Sequence, residues 1–218
     1  MSDAATRLAN VRDRIARAAK AARRDPADVT LVAVSKQRPA ANIEPLIAAG
    51  VTDFGENRVT EAAEKWPSIR AMHPGLRLHM IGQLQSNKAA EAVELFDVIH
   101  SLDRMSLLKA LVAAGEKSGR FPHVYVQVNI GAEEQKGGAA IRDLPALLDA
   151  VRASPLPLAG LMAIPPNGLE AGTFFALLAE LARRHDVNGL SMGMSNDYPA
   201  AVMLGATVVR IGSALFED

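Results

Sequence analysis

Short apolar segments recur along the chain and alternate with stretches in which apolar residues repeat at helical spacing. Eight of these segments have the length of a β-strand, and a helical pattern follows all but the last. The predicted strands cover 31–36, 53–57, 77–82, 98–103, 123–130, 156–164, 189–194 and 208–212. The predicted helices between them cover 40–49, 57–71, 86–95, 104–119, 141–153, 170–185 and 197–204.

This alternation predicts a parallel sheet in an α/β protein. Eight units favour a closed (β/α)8 TIM barrel, although 218 residues is below the ~250 typical of that fold. An open doubly wound sheet is the alternative, and it is weakened because no Gly-x-Gly-x-x-Gly follows the first strand. Residues 1–24 form a charged amphipathic pattern, which predicts an extra N-terminal helix over the gap between strands 8 and 1. One domain over residues 1–218 is the simplest interpretation.

Strand alternation indicates which side chains point into the barrel, because successive residues face opposite sides of a sheet. In the fifth strand the valines and Ile130 form the set that faces the helices, so the polar residues between them face inward. His79 lies on the third strand and Met162 on the sixth. The inward set is Val32, Val34, Lys36, Tyr125, Gln127, Asn129 and Arg210.

Polar and charged residues inside a barrel require partners, because an unpaired buried charge is costly. One explanation is an inward network that satisfies its own hydrogen bonds. The other is an anionic ligand at the carboxyl ends of the strands, where barrel sites lie. The number of polar residues in the inward set favours the ligand.

The segments after strands 7 and 8 read "SMGMSND" (191–197) and "RIGSALF" (210–216). Phosphate sites in TIM barrels often occupy these loops, where backbone N–H groups and a helix N-terminus meet the anion. Gly193 and Gly212 allow close backbone approach. Ser195 either donates to a phosphate oxygen or caps the next helix, and the two roles are compatible.

Composition narrows the function further. Twenty-four basic residues balance twenty-four acidic ones, so no global charge points to nucleic acid or anionic membrane. The chain has no cysteine, and no apolar run approaches the ~20 residues that span a bilayer. The expectation is a cytoplasmic protein without a signal peptide. His79, His100 and His123 lack a short metal-binding spacing, so no metal site is expected.

Two further stretches have an ordinary structural interpretation beside a functional one. "GENRVTE" (55–61) is typical of a helix start with Asn57 as its cap. "GAEEQKGG" (131–138) is typical of a charged, mobile surface loop. At the mouth of a barrel, each could instead contact a ligand, and the loop could act as a lid.

Seven motifs follow one another in order from Leu31 to Phe216. They are "AVSK" (33–36), "FGEN" (54–57), "H-x-IG-x-LQSNK" (79–88), "QVNI…EEQK-G" (127–137), "GLM-x-IPP" (160–166), "LSMGMS-D" (190–197) and "VRIG-S-A-L-F" (209–216). Together they closely resemble the pyridoxal-phosphate homeostasis protein family. The chain departs from the family at Gly131-Ala132, where Ser-Gly often precedes the Glu-Glu pair.

The resemblance implies one barrel like the N-terminal domain of alanine racemase, a fold-type III protein for pyridoxal 5'-phosphate (PLP). It implies a Schiff base between PLP and Lys36, and an arginine, Arg210, beside the pyridine nitrogen. It implies phosphate contacts from the strand-7 and strand-8 loops. Asn57, His79 and Met162 match positions at the mouth. The expected cofactor-binding residues are Lys36, Asn57, His79, Met162, Ser195, Arg210, Gly212 and Ser213.

The expected function is reversible binding of PLP and related B6 vitamers by a monomeric carrier, with delivery to apo-enzymes as an extension of that role. Arg210 would keep the pyridine nitrogen unprotonated, which makes the ring a weaker electron sink. A racemase also needs an acid/base on each face of its substrate. In the related alanine racemases, a tyrosine of a separate C-terminal domain supplies that second group. No such domain is expected here, and Tyr198 is the one candidate substitute. A weak racemase or lyase, and a regulatory module with a protein partner, remain the alternatives.

Overall fold

A closed barrel of parallel strands forms the centre of the computed structural model, which describes residues 3–133 and 135–216. The strands follow one another around the barrel in chain order, and β1 pairs with β8 to close it. The (β/α)8 prediction is therefore confirmed. The strands are β1 (Thr30–Val34), β2 (Asp53–Glu56), β3 (Arg77–Met80), β4 (Val98–Leu102), β5 (His123–Gln127), β6 (Leu158–Met162), β7 (Leu190–Ser191) and β8 (Val208–Ile211).

Helices surround the barrel and follow the predicted alternation. All eight strands end one to three residues earlier than predicted, because the residues after them turn into the loops at the carboxyl end. A one-turn helix after β8 was not predicted. The helices are α1 (Ala4–Ala21), α2 (Ala40–Ala48), α3 (Val59–Met72), α4 (Ala89–Leu95), α5 (Met105–Ser118), α6 (Leu144–Arg152), α7 (Ala171–Arg184), α8 (Tyr198–Met203) and α9 (Ser213–Phe216).

Two apolar regions lie on the two sides of the sheet. The larger one lies between strands and helices and includes Val124 and Val126 of β5 and Val128, the residue that follows this strand. The smaller one fills the barrel interior, where Val32, Val98, Tyr125, Met162 and Val208 pack together. The alternation predicted for β1 and β5 is therefore present, and β8 likewise turns Arg210 inward and Val209 outward.

Helix α1 lies against α2, α8 and α9. It covers the outside of the junction between β1 and β8. A full-length helix after β8 would occupy this position, but α9 is a single turn and leaves it to α1. Leu8, Val11 and Ile15 form its buried face. The predicted N-terminal helix is thus found over Ala4–Ala21, and Met1 and Ser2 lie outside the described residues. Within the described chain, the helices are all too short or too polar to cross a bilayer.

Helix α7 allows a direct test of the layer between helices and barrel. Leu178 is fully buried in that layer, whereas its neighbour Leu177 is 37% exposed. We expect Leu178→Ala to lower the free energy of unfolding by about 2–5 kcal/mol, through lost burial and a residual cavity. Leu177→Ala, the matched control, should change it by less than about 1 kcal/mol. Chemical denaturation measures both, and equal losses would contradict the assignment.

Candidate functional site

A cavity of about 800 Å³ opens at the carboxyl ends of the strands. Loops that follow β1, β2, β3, β5, β6, β7 and β8 line it, as expected for a site in this fold. Six of the eight predicted site residues lie in its wall: Lys36, Asn57, Ser195, Arg210, Gly212 and Ser213.

Lys36 lies in the loop after β1, two residues beyond the end of the strand at Val34. The prediction that β1 reaches Lys36 is therefore wrong, although the side chain still lines the cavity. The residue is exposed, and its ammonium has no hydrogen-bond or ion-pair partner among the described residues. A primary amine thus faces the cavity with its nitrogen available.

Two side chains of α3, Glu61 and Lys65, hold the backbone around Lys36 by hydrogen bonds. Lys65 of α3 donates from its Nζ to the carbonyl oxygens of Ser35 (2.9 Å) and Arg38 (3.1 Å). Gln37 adopts a left-handed conformation with φ of 57°, and its N–H donates to the carboxylate of Glu61. A residue with a side chain is strained there, so these bonds oppose relaxation of the loop.

Glu56 is the centre of this support. It is fully buried, and its Oε1 accepts from Ser35 Oγ at 2.7 Å and from Trp66 Nε1 at 3.0 Å. Lys65 Nζ lies 2.7 Å from the same oxygen. The pair compensates the charge of both groups inside the protein. Through Lys65 it also holds Ser35 and Arg38, which lie on either side of the turn that carries Lys36.

The loops after β7 and β8 are joined through Ser195. Its Oγ accepts from the backbone N–H of Gly212 (3.2 Å) and of Ala214 (3.3 Å). Asp197, not Ser195, occupies the N-cap position of α8, so the helix-cap interpretation of Ser195 is wrong. Gly193 has φ of 93°, and a Cβ there would lie 2.6 Å from the Cβ of Ala201. The turn therefore requires glycine.

Arg210 brings a cation to the inner wall of the cavity. It is 3% exposed, and it donates from Nη1 to Ser191 Oγ (2.6 Å) and from Nη2 to the Ala163 carbonyl (3.0 Å). Burial lowers the pKa of its guanidinium to about 10. The group therefore remains charged at neutral pH.

His79 and Met162 lie deeper than predicted. Met162 is fully buried in the apolar layer of the barrel interior, and His79 hydrogen-bonds His100 and Asp53, each at 2.9 Å. Neither belongs to the cavity wall, so the expectation that they line the mouth is wrong. The predicted strands are correct for both, but a strand assignment does not give the depth of a residue along the barrel axis.

Asn57 and part of the 131–138 loop lie at the cavity, where a contact with a ligand stays a prediction. Asn57 lines the cavity, and α3 begins later, with Arg58 at the N-cap. In the loop, Asn129 exchanges hydrogen bonds with the backbone of Glu133, and Lys136 pairs with the Glu133 carboxylate at 2.6 Å. Gln135, Lys136 and Gly137 reach the cavity. Glu134 lies outside the described residues.

Neither of the two tyrosines reaches the cavity. Tyr125 stacks on the His100 ring inside the barrel, with centroids 4.5 Å apart. Tyr198 is fully buried on the outer side, where the Arg14 guanidinium lies 5.0 Å from its ring centroid. Over residues 3–133 and 135–216, no group of three or more His, Asp or Glu side chains is arranged to hold a metal ion.

The barrel and its mouth define a class of protein, the alanine racemase N-terminal-domain fold. The family model described as "Alanine racemase, N-terminal domain" matches residues 6–218. An alanine racemase of Clostridium difficile superposes with a TM-score of 0.70 at 13% identity, over 99% of this chain and 56% of that one. That likeness concerns the fold alone.

More similar relatives narrow the class. A pyridoxal phosphate homeostasis protein of Pseudomonas aeruginosa is 44% identical over 223 residues, which covers 99% of this chain and 96% of the relative. The structure of PipY from Synechococcus elongatus with PLP bound has a TM-score of 0.85 at 40% identity, over 98% of this chain and all of that one. The chain belongs to the family of pyridoxal phosphate homeostasis proteins.

Sequence reasoning missed the residues that hold the site from outside its wall. Glu56, Lys65, Ser191 and His100 contact one another or the predicted residues, but none lines the cavity. Glu56 belongs to the "FGEN" motif and Ser191 to the "LSMGMS-D" motif, and those positions were the available signals. Lys65 has none for its contact with the loop, because the two backbone carbonyls that it bonds there lie 27 to 30 residues away.

Loss of the Lys65 ammonium should destabilise the protein. In Lys65→Met the fully buried Glu56 carboxylate loses its cation, so we expect about 3–5 kcal/mol less free energy of unfolding. Lys109→Met on the exposed side of α5 is the control and should change stability by less than about 1 kcal/mol. Urea denaturation at pH 7 measures both. If the two variants were equally stable, the Glu56 pair would not be a support of this loop.

Proposed function

We propose that the chain, as one domain over residues 1–218, binds PLP reversibly in this cavity and serves PLP homeostasis as a carrier. One observation carries the proposal: the unpartnered Lys36 amine faces a cavity that also contains the buried Arg210 cation and the Ser195–Gly212 loop junction. PLP combines an aldehyde, a pyridine nitrogen and a phosphate. The three groups of the cavity match these three features.

The chemistry of each group supports the match. PLP supplies an aldehyde that condenses with a primary amine, and Lys36 offers an amine on a loop that is held in place. The N–H groups of Gly212 and Ala214 already converge on one oxygen, Ser195 Oγ, as N–H groups do around a phosphate oxygen. Gly212 has no side chain to narrow the cavity, and the nearest atom to a Cβ there would be 3.6 Å away.

The proposal assigns the cofactor contacts residue by residue. Lys36 holds the aldehyde carbon, Ser195, Gly212 and Ser213 hold the phosphate, and Arg210 faces the ring nitrogen. Asn57 lines the wall beside Lys36. His79 and Met162 act from within the barrel, His79 through polar contacts and Met162 as part of the apolar layer below the cavity.

The relatives support a carrier. Those at 36–44% identity bear the name pyridoxal phosphate homeostasis protein, and PipY was solved both without PLP and with it bound. A weak amino-acid racemase is the alternative, and it would need a second acid/base opposite Lys36. Tyr198, the expected substitute, is buried under Arg14, and Tyr125 is buried beside His100. A monomeric state, a cytoplasmic location and delivery to apo-enzymes remain predictions of the sequence.

Lys36→Ala tests the covalent site. The native protein should turn yellow with PLP, and borohydride should add the mass of reduced PLP to the peptide that contains Lys36. Lys36→Ala should lose both signals, because no amine is left at that position. Lys109→Ala, an exposed lysine of α5, should keep both. A label on another lysine in the native protein, or a colourless native protein, would refute the assignment.

Turnover separates the carrier from the racemase. We expect no racemisation of D- or L-amino acids above the rate of free PLP when the PLP-loaded protein is followed by chiral chromatography. The reason is that Lys36 serves one face of a substrate and neither tyrosine reaches the other. Racemisation that depends on Lys36 would establish the enzyme and remove the carrier proposal.

A further inference from the structure

Five polar side chains form one continuous line of hydrogen bonds through the barrel. Arg210 of β8 bonds Ser191 of β7 at 2.6 Å, and Ser191 bonds His100 Nδ1 of β4 at 2.8 Å. His100 Nε2 contacts His79 Nδ1 of β3 at 2.9 Å, and His79 Nε2 contacts Asp53 Oδ1 of β2 at 2.9 Å. Each of the five residues is at most 8% exposed. We call this set the barrel relay.

The barrel relay connects the two ends of the molecule. Arg210 lines the cavity at the carboxyl ends of the strands. Asp53 is the first residue of β2, and it lines a depression on the opposite side together with Thr30 and Thr52. The Ser191–His100 bond joins strands that are not neighbours in the sheet, so it passes through the barrel interior.

The two ends of the barrel relay fix the direction of every hydrogen bond between them. A guanidinium only donates and an ionised carboxylate only accepts. Ser191 Oγ accepts from Arg210, so its hydrogen is available to His100 Nδ1. His100 then carries its proton on Nε2 and donates to His79 Nδ1, and His79 donates from Nε2 to Asp53. Both imidazoles are neutral in this arrangement, and every donor has an acceptor.

The reverse direction leaves a hydrogen without an acceptor. If His79 were an imidazolium, His100 would donate from Nδ1 to Ser191 Oγ, which already accepts from Arg210. The Ser191 hydrogen would then have no acceptor among the described residues, and a buried hydroxyl in that state is costly. A second buried cation would also lie in line with Arg210.

The charges around the barrel relay agree with the forward direction. Burial, followed by the nearby His79, Arg210 and Arg77, lowers the pKa of His100 well below its ordinary value. The Tyr125 ring covers one face of His100. Burial alone would raise the pKa of Asp53, but hydrogen bonds from His79 and Thr52, with Arg77 nearby, leave it lowered. Asp53 is therefore ionised and His100 neutral at pH 7.

We propose that Ser191, His100, His79 and Asp53 are positioning residues that orient the Arg210 guanidinium toward the cavity through the one-way hydrogen bonds of the barrel relay. The effect of this orientation on PLP binding rests on the proposed function, in which the side of Arg210 that faces the cavity meets the cofactor ring. Among the described residues no carboxylate bonds Arg210 directly. Its two recorded partners are Ser191 and the Ala163 carbonyl, so loss of Ser191 frees one arm of the guanidinium.

The first experiment uses the cofactor-free protein, so its outcome is independent of PLP binding. Long-range proton–nitrogen NMR of ¹⁵N-histidine-labelled protein reports the protonation of each of the five histidines. We expect His79 and His100 to be neutral with the proton on Nε2 at pH 7. His100 should stay neutral as the pH is lowered through about 6.5, the ordinary pKa of a histidine. A proton on His100 Nδ1, or an imidazolium at either position at pH 7, overturns the proposal.

The second experiment measures the effect on the cavity. Ser191→Ala removes the link to Arg210, and we expect PLP affinity to fall roughly tenfold, with a shifted absorption maximum of the bound cofactor. Ser191→Thr keeps the hydroxyl and should restore both, and Ser106→Ala on the exposed side of α5 should change neither. If Ser191→Ala bound PLP with native affinity and spectrum, the positioning role would be refuted.

A distant variant shows whether the whole line acts as a unit. Asp53→Ala removes the terminal acceptor without touching the cavity, and we expect the Nε2–H form of His79 and His100 to give way to a mixture of tautomers. The bound-cofactor spectrum should shift in the same sense as in Ser191→Ala. Unchanged tautomers in folded Asp53→Ala contradict the proposal. Should the variant fail to fold, the tautomers of the native protein still decide it. A native protein that shows the tautomers but binds no PLP would refute the proposed function alone.

Discussion

The burial of one guanidinium, that of Arg210, is the constraint on which the interior of this barrel depends. A cation removed from water must recover its hydration through hydrogen bonds or become neutral, and a guanidinium stays charged. Arg210 recovers two bonds from Ser191 and the Ala163 carbonyl. The Ser191 hydroxyl, which accepts from Arg210, must then donate its own hydrogen to another acceptor. His100 accepts it, and the same need for an acceptor continues through His79 to Asp53. The polar line through an otherwise apolar interior follows from that single charge.

The residues that hold the Lys36 loop from outside the barrel also surround one buried charge, that of Glu56. Glu56 is fully buried and is met at once by a hydroxyl, an indole N–H and an ammonium. Lys65 in turn donates to the carbonyl oxygens of Ser35 and Arg38, so the layer between barrel and helices holds the residues around Lys36. The Lys36 side chain itself is exposed and unpartnered among the described residues. A fixed backbone with a free amine suits a group that binds and releases an aldehyde.

A feature of this structure can be predicted from the sequence when it depends on residues close together along the chain, and it cannot when it depends on distant ones. Alternation along a strand is local, so the inward direction of Tyr125 and Arg210 followed from the pattern alone. The depth of His79 did not, because depth depends on the stagger of eight strands around a closed barrel. The role of Ser195 as an acceptor for the loop after β8 depends on a contact 17 to 19 residues along the chain. Lys65 carried no local signal at all, since an exposed helical lysine has the same pattern.

The position of the two tyrosines links the fold to the difference between holding a cofactor and using it. Lys36 and Arg210 line the cavity at the mouth of this barrel, and the proposed function assigns to them the binding and orientation of PLP. Catalysis at an amino-acid α-carbon needs a second proton donor on the far side of the substrate. Here the phenol of Tyr198 is turned toward α1, and Tyr125 is taken up by its stacking on His100. The same His100 that stacks on Tyr125 also links Asp53, through His79, to Ser191 and Arg210. The polar interior is therefore taken up in bonding the cation, and Lys36 remains at the mouth as an amine without a partner among the described residues.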